Sequence, residues 1–210
     1  MTPPAAMTLG TIIALNVVVS VLGFRALQSA TPERAERFVF IPHRVAQGEN
    51  GLGMLLAHFA HGGLLHLGFN LIALYSFAGP VLAALGPTKF VIIYALAGLG
   101  SDLVVFSLRK EDPSYRCLGA SGSVFGIVMA AIVLDPATSV VLFFVPIPIP
   151  GPVFMLGYAV ISAFLIIQKH RGGVSHEGHL GGAVIGLALT GVLAPRGLGS
   201  LIRWFAQWVP

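Results

Sequence analysis

The sequence predicts an all-α membrane protein, a bundle of six transmembrane helices forming one domain over residues 1–210. Three observations predict it. Hydrophobic residues make up 56% of the chain and charged residues only 10%, with a mean hydropathy of +0.88, far from the average of soluble domains. Six apolar stretches approach the roughly 20 residues that cross a hydrocarbon core of about 30 Å. The net charge of +4 comes from twelve Lys and Arg spread over loops and ends without a basic run, which argues against nucleic acid as a partner and for membrane orientation.

The first span is 7–27. No positively charged region precedes it and no small-residue cleavage site follows, so it reads as a retained helix rather than a signal peptide. A long loop comes next, opened by the turn or cap Thr31-Pro32-Glu33 and carrying Glu33, Arg34, Glu36, Arg37, Arg44 and Glu49. Loops of this length in a compact protein are usually functional or interfacial. Spans two to four follow at 64–85, 89–108 and 118–134. The apolar segment 137–150 contains Pro146, Pro148 and Pro150, which cannot donate the bonds a lipid-facing helix needs. An extended loop lying on the membrane surface or dipping into it is expected there. Spans five and six are 152–168 and 179–194. Residues 198–209, with Trp204 and Trp208 four apart beside Arg203, suit an interfacial helix. The single cysteine, Cys117, excludes an intrachain disulfide and a cysteine-based metal cluster and reads as a small packing residue. There is no internal repeat.

With six spans, the loops before spans two, four and six share one side of the membrane. The polar residues gather at those ends: His61, His66 and Asn70 early in span two, Ser121 at the start of span four, His176 and His179 at the start of span six. Polar groups within membrane helices are costly and default to function, so their convergence at one depth outweighs any one of them. Serine is a poor nucleophile without a base in reach, and His179 is the candidate base. Gly122 and Gly126 in span four and Gly182 and Gly186 in span six form small-xxx-small faces that let two helix backbones approach closely. Such a contact would bring Ser121 and His179 together. His66 and Asn70, four apart, share a helical face and with the Ser121 amide could donate to a developing oxyanion.

Taken together, Gly119-Ala120-Ser121-Gly122, the run His61-Gly62-Gly63-Leu64-Leu65-His66 with Asn70, and His179 with Gly182 and Gly186 resemble the rhomboid family of intramembrane serine proteases. The resemblance covers spans two to six in order. It implies a six-helix core with a Ser–His dyad and no cofactor, Ser121 as nucleophile, His179 as general base and acid, and His66, Asn70 and the Ser121 amide as oxyanion hole. His61, Gly119 and Gly122 would be accessory. The segments after spans one and four would be a membrane-lying loop and a loop under which water reaches the site. Substrates would be transmembrane segments with small, helix-destabilising residues near the cleavage point, so the partners are membrane proteins and the lipid bilayer itself. Two features depart from the family pattern: the first loop lacks a Trp-Arg pair, reading Glu49-Asn50-Gly51-Leu52-Gly53 before His58, and no acidic residue follows span two. Asp102, an unusual charge inside span three two turns before Arg109, is expected to form a structural pair near the site.

Three other readings stay open. His58, His61, His66, His176 and His179 could ligate a metal, and Ser175-His176-Glu177-Gly178-His179 falls one residue short of HExxH. A catalytically inactive rhomboid-like protein would bind transmembrane clients instead, although such proteins typically lose the Ser or His that this chain keeps. A histidine-relay transporter would need paired repeats and broken helices, which are not seen. Orientation is argued in two directions. Arg34, Arg37, Arg44, Arg109, Lys110, Arg116, Lys169 and Arg171 lie on the proposed site side against Lys89, Arg196 and Arg203, which by the positive-inside rule turns the site to the cytoplasm. The resemblance implies the opposite, with the N-terminus inside, and that orientation is carried forward. Lacking a basic, serine-rich presequence, the chain is expected in a bacterial plasma membrane. The physiological substrate and the oligomeric state are not legible.

Overall fold

A computed structural model describes residues 1–28, 31–142, 145–168 and 173–208. Val209 of the expected C-terminal helix, and Lys169 and Arg171 of the charge comparison, lie outside them.

The chain is mostly helical, in the order α1 (Pro3–Leu27), α2 (Pro32–Glu36), α3 (Pro42–Ala46), α4 (Gly51–Ala57), α5 (Leu64–Arg109), α6 (Ser121–Leu134), β1 (Ser139–Leu142), β2 (Val145–Pro150), α7 (Gly151–Ile167), α8 (His176–Leu193) and α9 (Gly199–Ala206). Two helices, α1 and α5, are long and apolar enough to cross a membrane, while α6 and α7 are apolar but shorter. At 1.5 Å per residue α5 would run about 69 Å, more than twice the core of a bilayer. Gly86, at φ 77° and followed by Pro87, breaks it into arms 64–85 and 87–109. A left-handed φ is open to glycine at little cost, and proline removes the next helical donor. His66 at the start of one arm and Arg109 at the end of the other line the same cavity, so the arms fold back on each other.

The core forms around α6. Eleven of its fourteen residues are buried, which suits a helix that is apolar on every side and enclosed by neighbours. Among the described elements, α5, α6 and α8 make the most extensive mutual contacts. Phe90, Ile93, Ile127, Met129 and Ile132 are fully buried between them. The outer faces stay apolar: Leu15, Val18 and Leu22 on α1, Val160, Ile161 and Phe164 on α7, and Val192 on α8 are exposed. A soluble monomer rarely carries so much exposed apolar surface. At the far end of α8, Lys89 Nζ donates to the Leu193 carbonyl at 2.8 Å, satisfying one of its orphan acceptors.

Several expected boundaries shift. The fourth helix begins at Ser121 rather than 118, because Gly119 takes φ +131° and Ala120 is the residue before the first helical turn. Span six, expected from 179, begins at His176, with Ser175 as N-cap accepting from the Gly178 N–H. The first loop is not irregular throughout but carries α2, α3 and α4, each of the first two opened by a proline at its start. It is pinned to the loop after α5 by paired backbone bonds between Phe40 and Cys117.

The segment expected as an extended loop is a β-hairpin, with Ser139 opposite Pro150, Val140 opposite Ile149 and Leu142 opposite Val145. Prolines at every second position leave all the missing N–H groups on one edge of the strand, which a two-stranded sheet can turn outward. The hairpin follows the end of α6 remote from Ser121. None of its described residues lines the cavity at Ser121, so the expectation that the loop after span four admits water to the site is corrected: the cavity is bordered by the loop after α5 and by residues 173–175.

Candidate functional site

Three helix ends meet at this cavity. Ser121 opens α6, His179 lies in the first turn of α8, and His66 and Asn70 stand in the first two turns of α5. All four side chains line a cavity of about 790 Å³ together with Arg109, Tyr115, Phe125 and Glu177. Ser121 Oγ and His179 Nε2 are 2.6 Å apart, hydrogen-bond distance for a hydroxyl and a ring nitrogen.

The glycines set that distance. A Cβ on Gly182 would lie 2.8 Å from Gly122 Cα, and one on Gly186 would lie 2.7 Å from the Gly126 carbonyl carbon. On the other side of α6, a Cβ on Gly122 would overlap Ser101 and one on Gly126 would overlap Ala97 of α5. Backbone-to-backbone contact of this kind is open only to glycine. Gly119 has two reasons to be glycine: its φ of +131°, and the His66 ring, whose Nε2 would lie 2.9 Å from a Cβ there.

His66 Nδ1 accepts weakly from the Gly62 N–H at 3.5 Å. Asn70 Nδ2 donates to the His66 carbonyl at 2.9 Å, leaving the second hydrogen of its amide for another acceptor. As the first residue of α6, Ser121 contributes one of the N–H groups that a helix start leaves without an internal acceptor. His61 is fully buried behind the site. Its Nε2 accepts from the Ala120 N–H at 3.4 Å, and its Nδ1 lies 2.9 Å from Ser20 Oγ, which donates to the Phe59 carbonyl. The bonds are mutually consistent if His61 carries its proton on Nδ1.

The five histidines of the metal reading are spread apart in role. His58 Nε2 lies 2.8 Å from Asp102 Oδ2 at an angle too poor for a hydrogen bond, so the polar neighbour that Asp102 meets is His58. Among the described residues, no three His, Cys, Asp or Glu side chains gather at one point.

Several residues at the site escape sequence reasoning. Arg109 Nε donates to Glu177 Oε1 at 2.7 Å, with a second contact from Nη2, and the Arg109 guanidinium lies over the Tyr115 ring. Tyr115 Oη donates to Ser175 Oγ at 2.8 Å. These contacts tie the loop after α5 to the start of α8, two residues from His179. Burial pushes the Tyr115 hydroxyl and the Cys117 thiol of that loop well above their ordinary values. Phe125 stacks on His179, ring centroids 4.6 Å apart, and Tyr158 Oη meets His179 Nδ1 at 2.9 Å. Both had a signal: Phe125 is one helical turn from Ser121, and Tyr158 is a polar group inside an apolar span.

A serine and a histidine thus lie in hydrogen-bond contact at a cavity inside an apolar helical bundle, the bundle of an integral membrane protein. Residues 49–196 match the Rhomboid domain, and the chain belongs to the rhomboid family. It is 30% identical over 142 residues to the mouse presenilin-associated rhomboid-like protein, mitochondrial, covering 64% of this chain and 36% of that protein. It is 31% identical over 132 residues to rhomboid protein 1, mitochondrial, of Saccharomyces cerevisiae, covering 61% and 38%. RHOMBOID-like protein 12, mitochondrial, of Arabidopsis thaliana is 29% identical over 151 residues, covering 63% and 43%. The match thus spans well under half the length of these curated relatives. No solved structure matches the chain significantly.

Proposed function

We propose that this chain is an intramembrane serine endopeptidase that cleaves transmembrane segments of other membrane proteins, and that α1, the two arms of α5, α6, α7 and α8 form its six spans. The observation that carries the reading is the 2.6 Å contact of Ser121 Oγ with His179 Nε2 on a cavity shared with His66 and Asn70. At 1.5 Å per residue α6 is about 21 Å long, short of a core of about 30 Å. A serine at its start therefore sits below the lipid surface, and the cavity is the route by which water reaches it.

In this reading Ser121 Oγ attacks the scissile carbonyl carbon as its proton passes to His179 Nε2. The carbonyl π pair moves to oxygen, where the Ser121 N–H, the second Asn70 amide hydrogen and His66 are the donors for the oxyanion. Collapse expels the amine, which takes the proton from Nε2, and leaves an ester on Ser121. Water then gives a proton to Nε2 as it attacks the ester. The second collapse frees the carboxyl product and returns the proton to Ser121.

The test is cleavage of a fluorogenic single-span substrate in liposomes, by wild type and by Ser121→Ala, with and without a chelator. Ala is tolerated at a helix start, so the variant should fold while cleavage falls to background, and the wild-type rate should be indifferent to the chelator. Wild type and variant both inactive on several unrelated substrates, with no fluorophosphonate labelling of Ser121, would favour the client-binding reading. Of the expected location only integral membrane placement is carried forward, since the relatives named above are mitochondrial by name rather than bacterial.

A further inference from the structure

The His179 ring is held at both nitrogens. Nε2 meets Ser121 Oγ at 2.6 Å, and Nδ1 meets Tyr158 Oη at 2.9 Å. A neutral imidazole carries one proton, and which nitrogen holds it is set by the bond the other makes. With the proton on Nε2, the ring would donate to Ser121 and offer no base. With it on Nδ1, the ring donates to Tyr158 and presents a bare lone pair to the serine. Resting on the protease reading above, we propose that Tyr158 is a positioning residue of this site: its hydroxyl oxygen keeps the His179 proton on Nδ1, so that Nε2 stands ready to take the proton of Ser121.

A phenol can donate as well as accept, so this role requires the Tyr158 hydrogen to turn elsewhere. Ser162 lies one helical turn further along the same face of α7. It is fully buried, and its hydroxyl makes no hydrogen bond in this structure, to Tyr158 or to any other described residue. It is one of only three buried residues on a helix that otherwise faces outward, and it is the only polar one. A buried hydroxyl left alone is costly, and a small shift that lets it accept from Tyr158 would remove that cost. The two observed bonds then run Ser121 to His179 and His179 to Tyr158, with Ser162 the acceptor toward which the Tyr158 hydrogen would turn.

The ring stack fixes the same geometry. Phe125 lies against His179 and against Tyr158, with centroids at 4.6 and 4.4 Å and interplanar angles of 24° and 27°. His179 cannot rotate about its ring bond without breaking the stack and the Tyr158 bond together. When Ser121 gives its proton to Nε2, the ring becomes an imidazolium and the Nδ1–H bond to Tyr158 becomes charge-assisted, hence stronger. No proton passes to the tyrosine.

The variant that isolates this role is Tyr158→Phe, which keeps the aromatic stack and removes the hydroxyl. Two readouts apply to detergent-solubilised full-length protein: cleavage kinetics, and nitrogen NMR of the 15N-histidine-labelled chain, in which Nδ1–H and Nε2–H tautomers have distinct shifts. The expected result is a neutral His179 protonated on Nδ1 in the wild type and a mixed tautomer in Tyr158→Phe. In kinetics, kcat should fall about threefold to tenfold with KM unchanged, the rate equivalent of one neutral hydrogen bond. An unchanged tautomer would overturn the proposal, and a fall in kcat accompanied only by a lower melting temperature would reduce Tyr158 to packing. If the wild type cleaves no better than Ser121→Ala, the protease reading fails by itself, and the NMR comparison still decides whether Tyr158 sets the tautomer.

Discussion

Replacing Gly182 with alanine adds one methyl group where α8 touches α6. That methyl would be 2.8 Å from Gly122 Cα and would overlap the Gly122 carbonyl, and neither atom can rotate aside as a side chain could. Overpacking of a tight contact costs typically 1–3 kcal/mol, and an all-backbone neighbour argues for the upper end, about 3 kcal/mol. Against this stands the gain from replacing a mid-helix glycine, about 1 kcal/mol. The net is a destabilisation of about 2 kcal/mol, or a fall in melting temperature of about 4–8 °C for a chain of this size. Gly157→Ala on α7 is the control, because a Cβ there meets nothing within 4 Å. It should gain about 1 kcal/mol from helix propensity and melt slightly higher. Both can be followed by thermal denaturation in a mild detergent, with cleavage measured in parallel. Because the same contact sets the distance between Ser121 and His179, Gly182→Ala should lose activity more steeply than stability. A Gly182→Ala protein that melts at or above the wild type would refute the close-packed interface and the account of how serine and histidine are brought together.

Glu177→Ala leaves Arg109 charged and largely buried without its carboxylate, and removing one partner of a buried pair costs about 3–5 kcal/mol. Double replacement of both should cost less than the Glu177 change alone, and a chemical-denaturation cycle with strictly additive effects would show that the two do not interact. Cys117, half-buried and with a raised thiol pKa, should react with maleimide more slowly in the folded protein at pH 7.5 than after unfolding in SDS. Its sign in stability follows: the folded state favours the protonated thiol, so the contribution is complete below the ordinary cysteine pKa of about 8.5 and declines as pH climbs beyond it toward the folded value. Equal labelling rates in the two states would contradict the raised thiol pKa.

Helix positions were legible because apolar run length is a strong signal, and the glycine spacing in two of those runs pointed to the contact between α6 and α8. The hairpin at 139–150 was not, because alternating prolines argue against a lipid-facing helix without announcing that the extended segment pairs with itself, and a strand paired on one edge loses nothing when its proline edge faces outward. The start of α6 was misread by three residues for a backbone reason: Gly119 adopts a dihedral that sequence does not announce. Ser121, His179, His66 and Asn70 could be picked out since a hydroxyl, two imidazoles and an amide stand out in an apolar chain. Tyr158, Phe125 and the Arg109–Glu177 pair could not be assigned, because their roles arise from which helix faces which, and that is decided by packing rather than by local pattern.

The region that matches the Rhomboid domain begins at residue 49, after α1. Yet Ser20 of α1 reaches His61, and His61 in turn holds the Ala120 N–H that immediately precedes the serine. Asn16, one turn earlier, bonds the buried Tyr94 of α5. The first helix therefore works as a brace from outside the shared domain. A fragment trimmed to the matched residues would keep every residue assigned to chemistry and lose the strut behind them, so the smallest piece that can be recognised as a rhomboid is shorter than the smallest piece whose Ser121 turn is properly supported.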